Sequence, residues 1–161
     1  TKPTAKVSAH LVIRRDGSVK QCVVFDRVAF HAGQSRWVDR NGVSYTGLNA
    51  HAIGIEIENW GPLTRKGDGW VSWSGQAVDA ARVMEATHKS GSPKGGWETF
   101  TAAQIDTTVA AARAIVSVYG IQEIVGHDDI SPGRKSDPGP AWSMREFKAR
   151  VAVRERVAED A

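Results

Sequence analysis

The sequence predicts an α/β fold in which a single domain, residues 1–161, contains a mixed β-sheet flanked by helices. Three observations lead to this prediction. Short segments rich in β-branched residues intermix with segments of helical periodicity, an Asp-Gly turn signal joins the first two strands, and no internal repeat is present. A chain of 161 residues has the length of one ordinary domain and can bury a hydrophobic core.

The N-terminal part predicts a β-hairpin followed by a third strand. Residues 7–14 are rich in apolar and β-branched residues, the Asp-Gly pair at 16–17 favours a tight turn, and residues 19–25 return as the second strand. Residues 28–48 are rich in Gly, Asn, Asp and Ser and predict a long loop. Residues 52–58 alternate apolar and charged residues and predict a strand with one buried face.

Residues 59–100 are the least regular stretch and hold four of the six tryptophans. These are Trp60, Trp70, Trp73 and Trp97. Aromatic side chains outside regular elements often line ligand grooves, and here they suggest an extended groove. Packing in a small satellite core is an equally good explanation. We also expect a short helix within residues 76–87.

The C-terminal part predicts two helices separated by a short strand. Thr101 and Gln104 form a capping-box pattern, apolar residues then recur every three or four positions, and Gly120 is suited to end the helix. Residues 121–125 are a short apolar segment and predict a strand. Residues 142–158 predict a last amphipathic helix.

The composition argues against several classes of protein. Apolar residues make up 41% of the chain and charged residues 24%, which is typical of a globular domain. No apolar run is nearly as long as the roughly 20 residues that a membrane-spanning helix needs, and no signal peptide is visible. We therefore expect no membrane insertion. The single cysteine, Cys22, allows neither an internal disulfide nor a four-cysteine metal site.

The net charge of +3 carries little information about partners. Basic residues are spread along the chain with no run of five or more, so we expect no nucleic-acid partner. A mild positive charge also suits an anionic polymer, although a solvated surface is the commoner cause. A monomer is the default expectation.

Two pairs of polar residues are candidates for chemistry. His127 follows a predicted strand, and Asp137 follows it by ten residues in a loop stiffened by prolines, so the pair could bind zinc. Taken alone, such a histidine is more often a structural residue. Glu56 and Glu58 share one face of their strand. If that face lines a cleft, either residue could be a general base; if it faces water, both are solvated and have no catalytic role.

Read together, these segments resemble the zinc-dependent N-acetylmuramoyl-L-alanine amidases. That family includes phage endolysins, bacterial amidases that recycle anhydro-muropeptides, and peptidoglycan-recognition proteins. The resemblance covers about residues 7–147, in the family's order, and its last segment is long and chemically unusual. The matching segments are VSAHLVIRRDGSV (7–19), FDRVAFHAG (25–33), LNAHAIGIEIEN (48–59), TFTAAQ (99–104) and VGHDDISPGRKSDPGPAW (125–142).

The resemblance implies an amidase/peptidoglycan-recognition-like fold and a role for each matching residue. His127 and Asp137 correspond to the second and third zinc ligands. Glu56 corresponds to the acid/base that activates the zinc-bound water, and Lys135 to the positive charge that stabilises the oxyanion. Glu58 has no counterpart.

The resemblance also suggests residues of the substrate-binding cleft. They are His10, His31, Trp37, Asn49 and Arg134. For His10 and His31, a structural hydrogen bond is an equal alternative.

The implied reaction is hydrolysis of the amide between N-acetylmuramic acid and L-alanine, with Zn²⁺ as cofactor and peptidoglycan or a muropeptide as partner. The main interpretation is a lysin-type, antibacterial cell-wall hydrolase, which would be made in the cytoplasm and act on the wall. One alternative is a cytoplasmic amidase that recycles anhydro-muropeptides. The other is a peptidoglycan-binding module without catalysis. The sequence does not indicate a location.

One feature of the family has no counterpart here. The family's first zinc ligand is a histidine on a strand that precedes the hairpin, and only six residues precede Val7 in this sequence. Three explanations are open: the sequence is part of a longer chain, another residue replaces the ligand, or the protein is a non-catalytic relative. The substitutes to consider are His10, His51 and His88.

Overall fold

The computed structural model describes residues 7–152, which form ten strands and three α-helices. The strands are Leu11–Ile13 (β1), Val19–Gln21 (β2), Arg36–Val38 (β3), Ser44–Thr46 (β4), Ile55–Ile57 (β5), Pro62–Lys66 (β6), Gly69–Val71 (β7), Ala77–Val78 (β8), Val83–Ala86 (β9) and Gly95–Glu98 (β10). The helices are Ala102–Tyr119 (α1), His127–Ile130 (α2) and Met144–Ala152 (α3). No helix among these residues is long and apolar enough to cross a membrane.

A mixed sheet with the strand order β2-β1-β5 forms the centre of the fold. β1 and β2 make the predicted antiparallel hairpin, with Leu11 opposite Gln21. β5 runs parallel to β1, with Val12 opposite Glu56. Together with the helices described below, this sheet confirms the predicted fold class.

Helix α1 begins and ends where the sequence predicts. The Thr101 hydroxyl accepts a hydrogen bond from the Gln104 amide at 3.1 Å, and the Gln104 side chain accepts one from the Thr101 amide at 3.1 Å, which completes the capping box. Gly120 ends the helix in the left-handed conformation with φ 62°. Gln104 is fully buried and also donates to the Glu58 carbonyl at 2.7 Å, which fixes α1 against the end of β5.

The main hydrophobic core lies between α1 and α3. Val109 and Ala112 of α1 pack with Trp142 and Phe147, and Ile57 of β5 packs against this cluster. The ring of Trp142 contacts that of Phe147 edge-on, with centroids 5.2 Å apart. The helix predicted over residues 142–158 is found as α3; residues 153–158 of that prediction lie outside the described part of the chain.

The prediction of one long loop over residues 28–48 is wrong. This stretch contains a small antiparallel hairpin of β3 and β4, in which Trp37 lies opposite Tyr45, and a 3₁₀ turn begins at Leu48. The Asp39 carboxylate accepts hydrogen bonds from the Asn41 and Val43 amides at 2.9 and 2.8 Å. The Gly, Asn and Asp residues therefore mark a tight turn between two short strands rather than a continuous loop.

The prediction that residues 59–100 are the least regular stretch of the chain is also wrong. Residues 62–98 form a separate five-stranded antiparallel sheet with the order β8-β7-β6-β10-β9, here called the second sheet. The helix expected within residues 76–87 is reduced to a 3₁₀ turn, Ala80–Arg82, that Asp79 caps. Pairing between strands, such as Glu85 opposite Gly96, satisfies the backbone in this region and outweighs local helix propensity.

The tryptophans of the second sheet have two different environments. Trp97 is buried and its ring lies against that of His88, with centroids 5.7 Å apart. The Arg65 guanidinium lies over the Trp70 ring, 5.0 Å from the centroid of that ring. These two residues fit the satellite-core interpretation. Trp73, in contrast, is 79% exposed and contacts Trp60 edge-on.

A buried carboxylate joins the second sheet to the central sheet. Glu98 is fully buried at the end of β10 and forms ion pairs with Arg82 of the second sheet and with Arg15 of the hairpin turn, the latter at 3.3 Å. Its other oxygen accepts a hydrogen bond from the Trp60 amide at 2.7 Å. Burial of this charge is tolerated because both oxygens have partners.

The strand predicted over residues 121–125 is not found. A β-strand needs a hydrogen-bonded neighbour, and no described residue pairs with this segment. β5 likewise pairs with β1 on one side and with no other strand of residues 7–152 on the other. Ile57 and Ile124 nevertheless pack against the same core cluster.

Replacement of the buried carboxylate tests the junction between the two sheets. We expect Glu98→Ala to lower the free energy of unfolding by about 2–3 kcal/mol, because two arginines that retain some access to water lose their anion. Chemical denaturation followed by circular dichroism measures the change. Glu85→Ala, at an exposed position on the neighbouring strand β9, is the control and should change stability by less than about 0.5 kcal/mol. Equal effects of the two substitutions would contradict the assignment.

Candidate functional site

The two predicted zinc ligands lie side by side. His127 begins the short helix α2, rather than following a strand as predicted, and Asp137 lies in the loop beyond it. The Nδ1 atom of His127 is 2.9 Å from Oδ2 of Asp137. The Asp128 amide donates to the Asp137 carbonyl at 2.8 Å, which brings the two ends of the 126–137 segment together.

Close packing behind His127 requires a glycine that the sequence reasoning missed. A Cβ atom at Gly126 would lie 2.5 Å from an Asp128 carboxylate oxygen and 2.8 Å from Cδ of Pro138. A larger residue would therefore displace the start of α2. The Gly-His pair in the motif is the signal that could have identified this requirement.

Glu56 and Lys135 lie within the electrostatic reach of the His127–Asp137 pair. Burial raises the pKa of Glu56, the negative charge of Asp137 raises it further, and His127 and Lys135 oppose the change. Burial also acts to raise the pKa of Asp137, but the hydrogen bond and charge of His127 outweigh it, so that this pKa lies below its ordinary value. The structure therefore brings the four predicted residues into one electrostatic group.

The donor atoms of this group suit zinc, but the set is incomplete. Histidine nitrogen and carboxylate oxygen are ordinary zinc ligands, and catalytic zinc sites use three protein ligands. Within residues 7–152, no cluster of three His, Cys, Asp or Glu side chains could hold a metal ion. His127 and Asp137 thus fit two of the three positions.

The three histidines considered as substitutes have other partners. The Nδ1 atom of His10 accepts from the Gly54 amide at 3.0 Å, and its Nε2 atom is 2.9 Å from the Arg27 carbonyl. The ring of His51 lies against that of Tyr45. His88 bonds to Asp128 through Nε2 at 3.0 Å.

Of the residues expected in the substrate cleft, His10 is the most deeply buried. It is 1% exposed and both ring nitrogens have protein partners, which favours its alternative role as a structural residue. His31 is half-buried, and its Nε2 atom is 3.2 Å from the Ala52 carbonyl. Burial lowers the pKa of His31, with smaller effects from its neighbours His10 and His127. Gly54 permits this arrangement, because a Cβ there would overlap the His31 ring.

Asn49 and Arg134 hold the loop formed by residues 31–34, here called the HAG loop. The Asn49 side-chain oxygen accepts from the backbone amides of His31 at 3.0 Å and Ala32 at 2.7 Å. The Arg134 guanidinium donates to the Ala32 carbonyl at 2.8 Å and the Gln34 carbonyl at 2.9 Å. Both side chains therefore orient the HAG loop, and Arg134 ties it to the 126–137 segment.

The side chain of Trp37, on β3, contacts residues 121–125 rather than the His127–Asp137 pair. Its indole N–H donates to Glu123 at 2.6 Å. It borders a cavity of about 310 Å³ whose other lining residues come from α1, residues 121–125 and α3. None of the polar residues of the electrostatic group lines this cavity.

Comparison with known proteins identifies relatives over most of the chain. Residues 1–140 match the family model described as N-acetylmuramoyl-L-alanine amidase. The chain is 32% identical over 149 residues to the 1,6-anhydro-N-acetylmuramyl-L-alanine amidase AmpD of Escherichia coli K12, covering 91% of this chain and 60% of that protein. It is 31% identical over 151 residues to the N-acetylmuramoyl-L-alanine amidase AmiD of the same organism, covering 88% and 44%.

A solved structure has a similar fold. The complex of AmiD from E. coli with the substrate anhydro-N-acetylmuramic acid-L-Ala-D-γ-Glu-L-Lys matches with a TM-score of 0.64 at 27% identity, covering 90% of this chain and 48% of that chain. The present chain thus spans 60% or less of the length of these relatives. Because the family model matches residues 1–140 of 161, the chain belongs to the N-acetylmuramoyl-L-alanine amidase family.

Proposed function

We propose that the protein is a zinc-dependent N-acetylmuramoyl-L-alanine amidase, which hydrolyses the amide between N-acetylmuramic acid and the L-alanine of the stem peptide. The observation that carries the proposal is the His127–Asp137 pair, 2.9 Å apart, in electrostatic contact with Glu56 and Lys135. Retention of all four side chains favours catalysis over a module that only binds peptidoglycan.

In this proposal the side chains of His127 and Asp137 would hold the zinc ion. When bound, zinc lowers the pKa of a water molecule to about 7 and polarises the scissile carbonyl. Because residues 7–152 supply only these two ligands, we propose that the third comes from a part of the polypeptide outside them.

Glu56 is the proposed acid/base. It would accept the proton of the attacking water and transfer it to the leaving alanine nitrogen. Burial and the Asp137 charge raise its pKa, which makes the carboxylate a stronger base towards the attacking water. Lys135 would stabilise the negative oxygen that develops as the amide carbonyl is attacked.

The substrate class follows from the relatives. AmpD is named for 1,6-anhydro-N-acetylmuramyl-L-alanine, and AmiD has been solved with an anhydro-muropeptide. These names favour soluble anhydro-muropeptides as the substrate, and we propose wall peptidoglycan, the substrate of a lysin-type hydrolase, as the second candidate. Stem-peptide release from purified cell walls and from soluble anhydro-muropeptide, measured side by side by mass spectrometry, distinguishes the two.

Substitution of the proposed acid/base should remove catalysis without removing the metal. We expect Glu56→Gln to lower kcat by about 10²–10⁴-fold, because the amide side chain cannot accept the proton of water. Zinc content measured by atomic absorption should be unchanged. Glu58→Gln is the matched control, since Glu58 lies two residues along the chain and its carboxylate accepts from the Arg15 amide instead. A Glu56→Gln variant as active as the control would contradict the proposed role.

Substitution of either proposed ligand should weaken the binding of zinc. We expect His127→Ala and Asp137→Ala each to weaken zinc binding by at least about 100-fold, which is the upper range for changes that only surround a metal site. Competition with a chromophoric chelator measures the affinity. His51→Ala, at an exposed histidine, should leave it unchanged. If zinc binding survives both ligand substitutions, the proposed metal site is wrong.

A further inference from the structure

The second sheet reaches the 126–137 segment through the loop that follows β9. His88 and Lys89 lie on this loop, and both contact acidic residues that directly follow His127. The His88 ring bonds to Asp128, while the Lys89 ammonium is paired with both Asp128 and Asp129. Forty residues separate the partners in sequence, so the contact depends on the tertiary fold.

Hydrogen bonds fix the tautomer of His88. The residue is 6% exposed and its ring lies against that of Trp97. The Ser90 amide donates to Nδ1 at 3.1 Å, so Nδ1 is an acceptor and carries no proton. In the neutral ring the proton is therefore on Nε2, which donates to Oδ2 of Asp128 at 3.0 Å. The ring is held on three sides and directs one donor at one carboxylate oxygen.

Asp128 is held from the other direction by charge. It is 6% exposed, and its second carboxylate oxygen lies 2.8 Å from Nζ of Lys89, which forms an ion pair with it but no hydrogen bond. One loop of the second sheet therefore supplies a hydrogen bond to one oxygen of this buried carboxylate and a positive charge to the other. A buried carboxylate that lost these partners would be costly, so the interaction constrains where the backbone of Asp128 can lie.

The backbone of Asp128 in turn fixes the two proposed ligands. His127 is its immediate neighbour, and its amide donates to the Asp137 carbonyl at 2.8 Å. Asp129 adds a second tie, because its carboxylate pairs with Lys89 and also accepts from the Gly126 amide at 2.7 Å. The restraint thus passes from the loop after β9, through two acidic side chains, to both ends of the 126–137 segment.

We propose that His88 and Lys89 are positioning residues, which hold the 126–137 segment so that His127 and Asp137 present their donor atoms to one metal ion. The proposal rests on the proposed function, because it takes His127 and Asp137 as zinc ligands. It assigns to the second sheet a part in the metal site, although no residue of that sheet belongs to the donor set.

Two substitutions of His88 separate the donor from the bulk of the ring. His88→Phe keeps an aromatic ring against Trp97 and removes the hydrogen bond to Asp128. His88→Gln keeps an N–H donor near the position of Nε2. Lys89→Met removes the ion pairs at a side chain that is half exposed, so it does not endanger folding.

The first measurement is hydrogen exchange in the metal-free protein. We expect the Asp128, Ser131 and Lys135 amides, which are hydrogen-bonded within the segment or across its ends, to exchange at least about tenfold faster in His88→Phe. Lys89→Met should accelerate them by a smaller factor, and His88→Gln should restore most of the protection. Amides in the middle of α1, such as those of Val109 and Ala112, should not change in any variant.

The second measurement is zinc affinity by chelator competition. We expect a loss of about tenfold in His88→Phe, with recovery in His88→Gln. Unchanged exchange of the segment in His88→Phe overturns the proposal, as does equal acceleration of the α1 amides, which would indicate a general loss of stability. If His88→Phe does not fold, unchanged exchange in Lys89→Met overturns it. Absence of zinc binding by the unmodified protein would count against the proposed function, while exchange would still decide whether the loop restrains the segment.

Discussion

The hydrogen bond from the Asp128 amide to the Asp137 carbonyl is the constraint on which the candidate site depends. It closes the 126–137 segment, so that a histidine and a carboxylate ten residues apart in sequence meet at 2.9 Å. The rest of the fold supports this closure from several sides. Arg134 ties the segment to the HAG loop, and the parallel pairing of β1 with β5 brings Glu56 within reach of the pair.

Local signals in the sequence predicted those parts of the fold that local interactions determine. Thr101 and Gln104 cap α1 with side chains three residues apart, and the Asp-Gly turn joins two strands that are neighbours in the sequence. The second sheet was missed because its strands are short and two of them, β7 and β10, contain glycine, so pairing rather than propensity determines them. The strand expected over 121–125 failed for the opposite reason, since its apolar sequence has no pairing partner among residues 7–152.

The candidate site divides in the same way. His127, Asp137, Glu56 and Lys135 were identified because they lie in contiguous motifs, and the structure brings them together. The residues that support them were not identified from the sequence, because contacts such as that of His88 with Asp128 join segments that are far apart in the chain. The resemblance predicts Asn49 and Arg134 in a substrate cleft, and the structure adds that their side chains hydrogen-bond to the backbone of the HAG loop. The second sheet is attached through buried acidic groups at two places, Glu98 and Asp128.

The outer edge of β5 has a consequence for how this protein can be assembled and used. Its backbone groups have no strand partner within residues 7–152, and the apolar 121–125 segment packs against the same core without one. An edge of this kind is a template for an added strand, and in natural proteins such edges are covered or blocked. A strand added at this edge would lie beside Glu56, so whatever covers the edge is a neighbour of the candidate site.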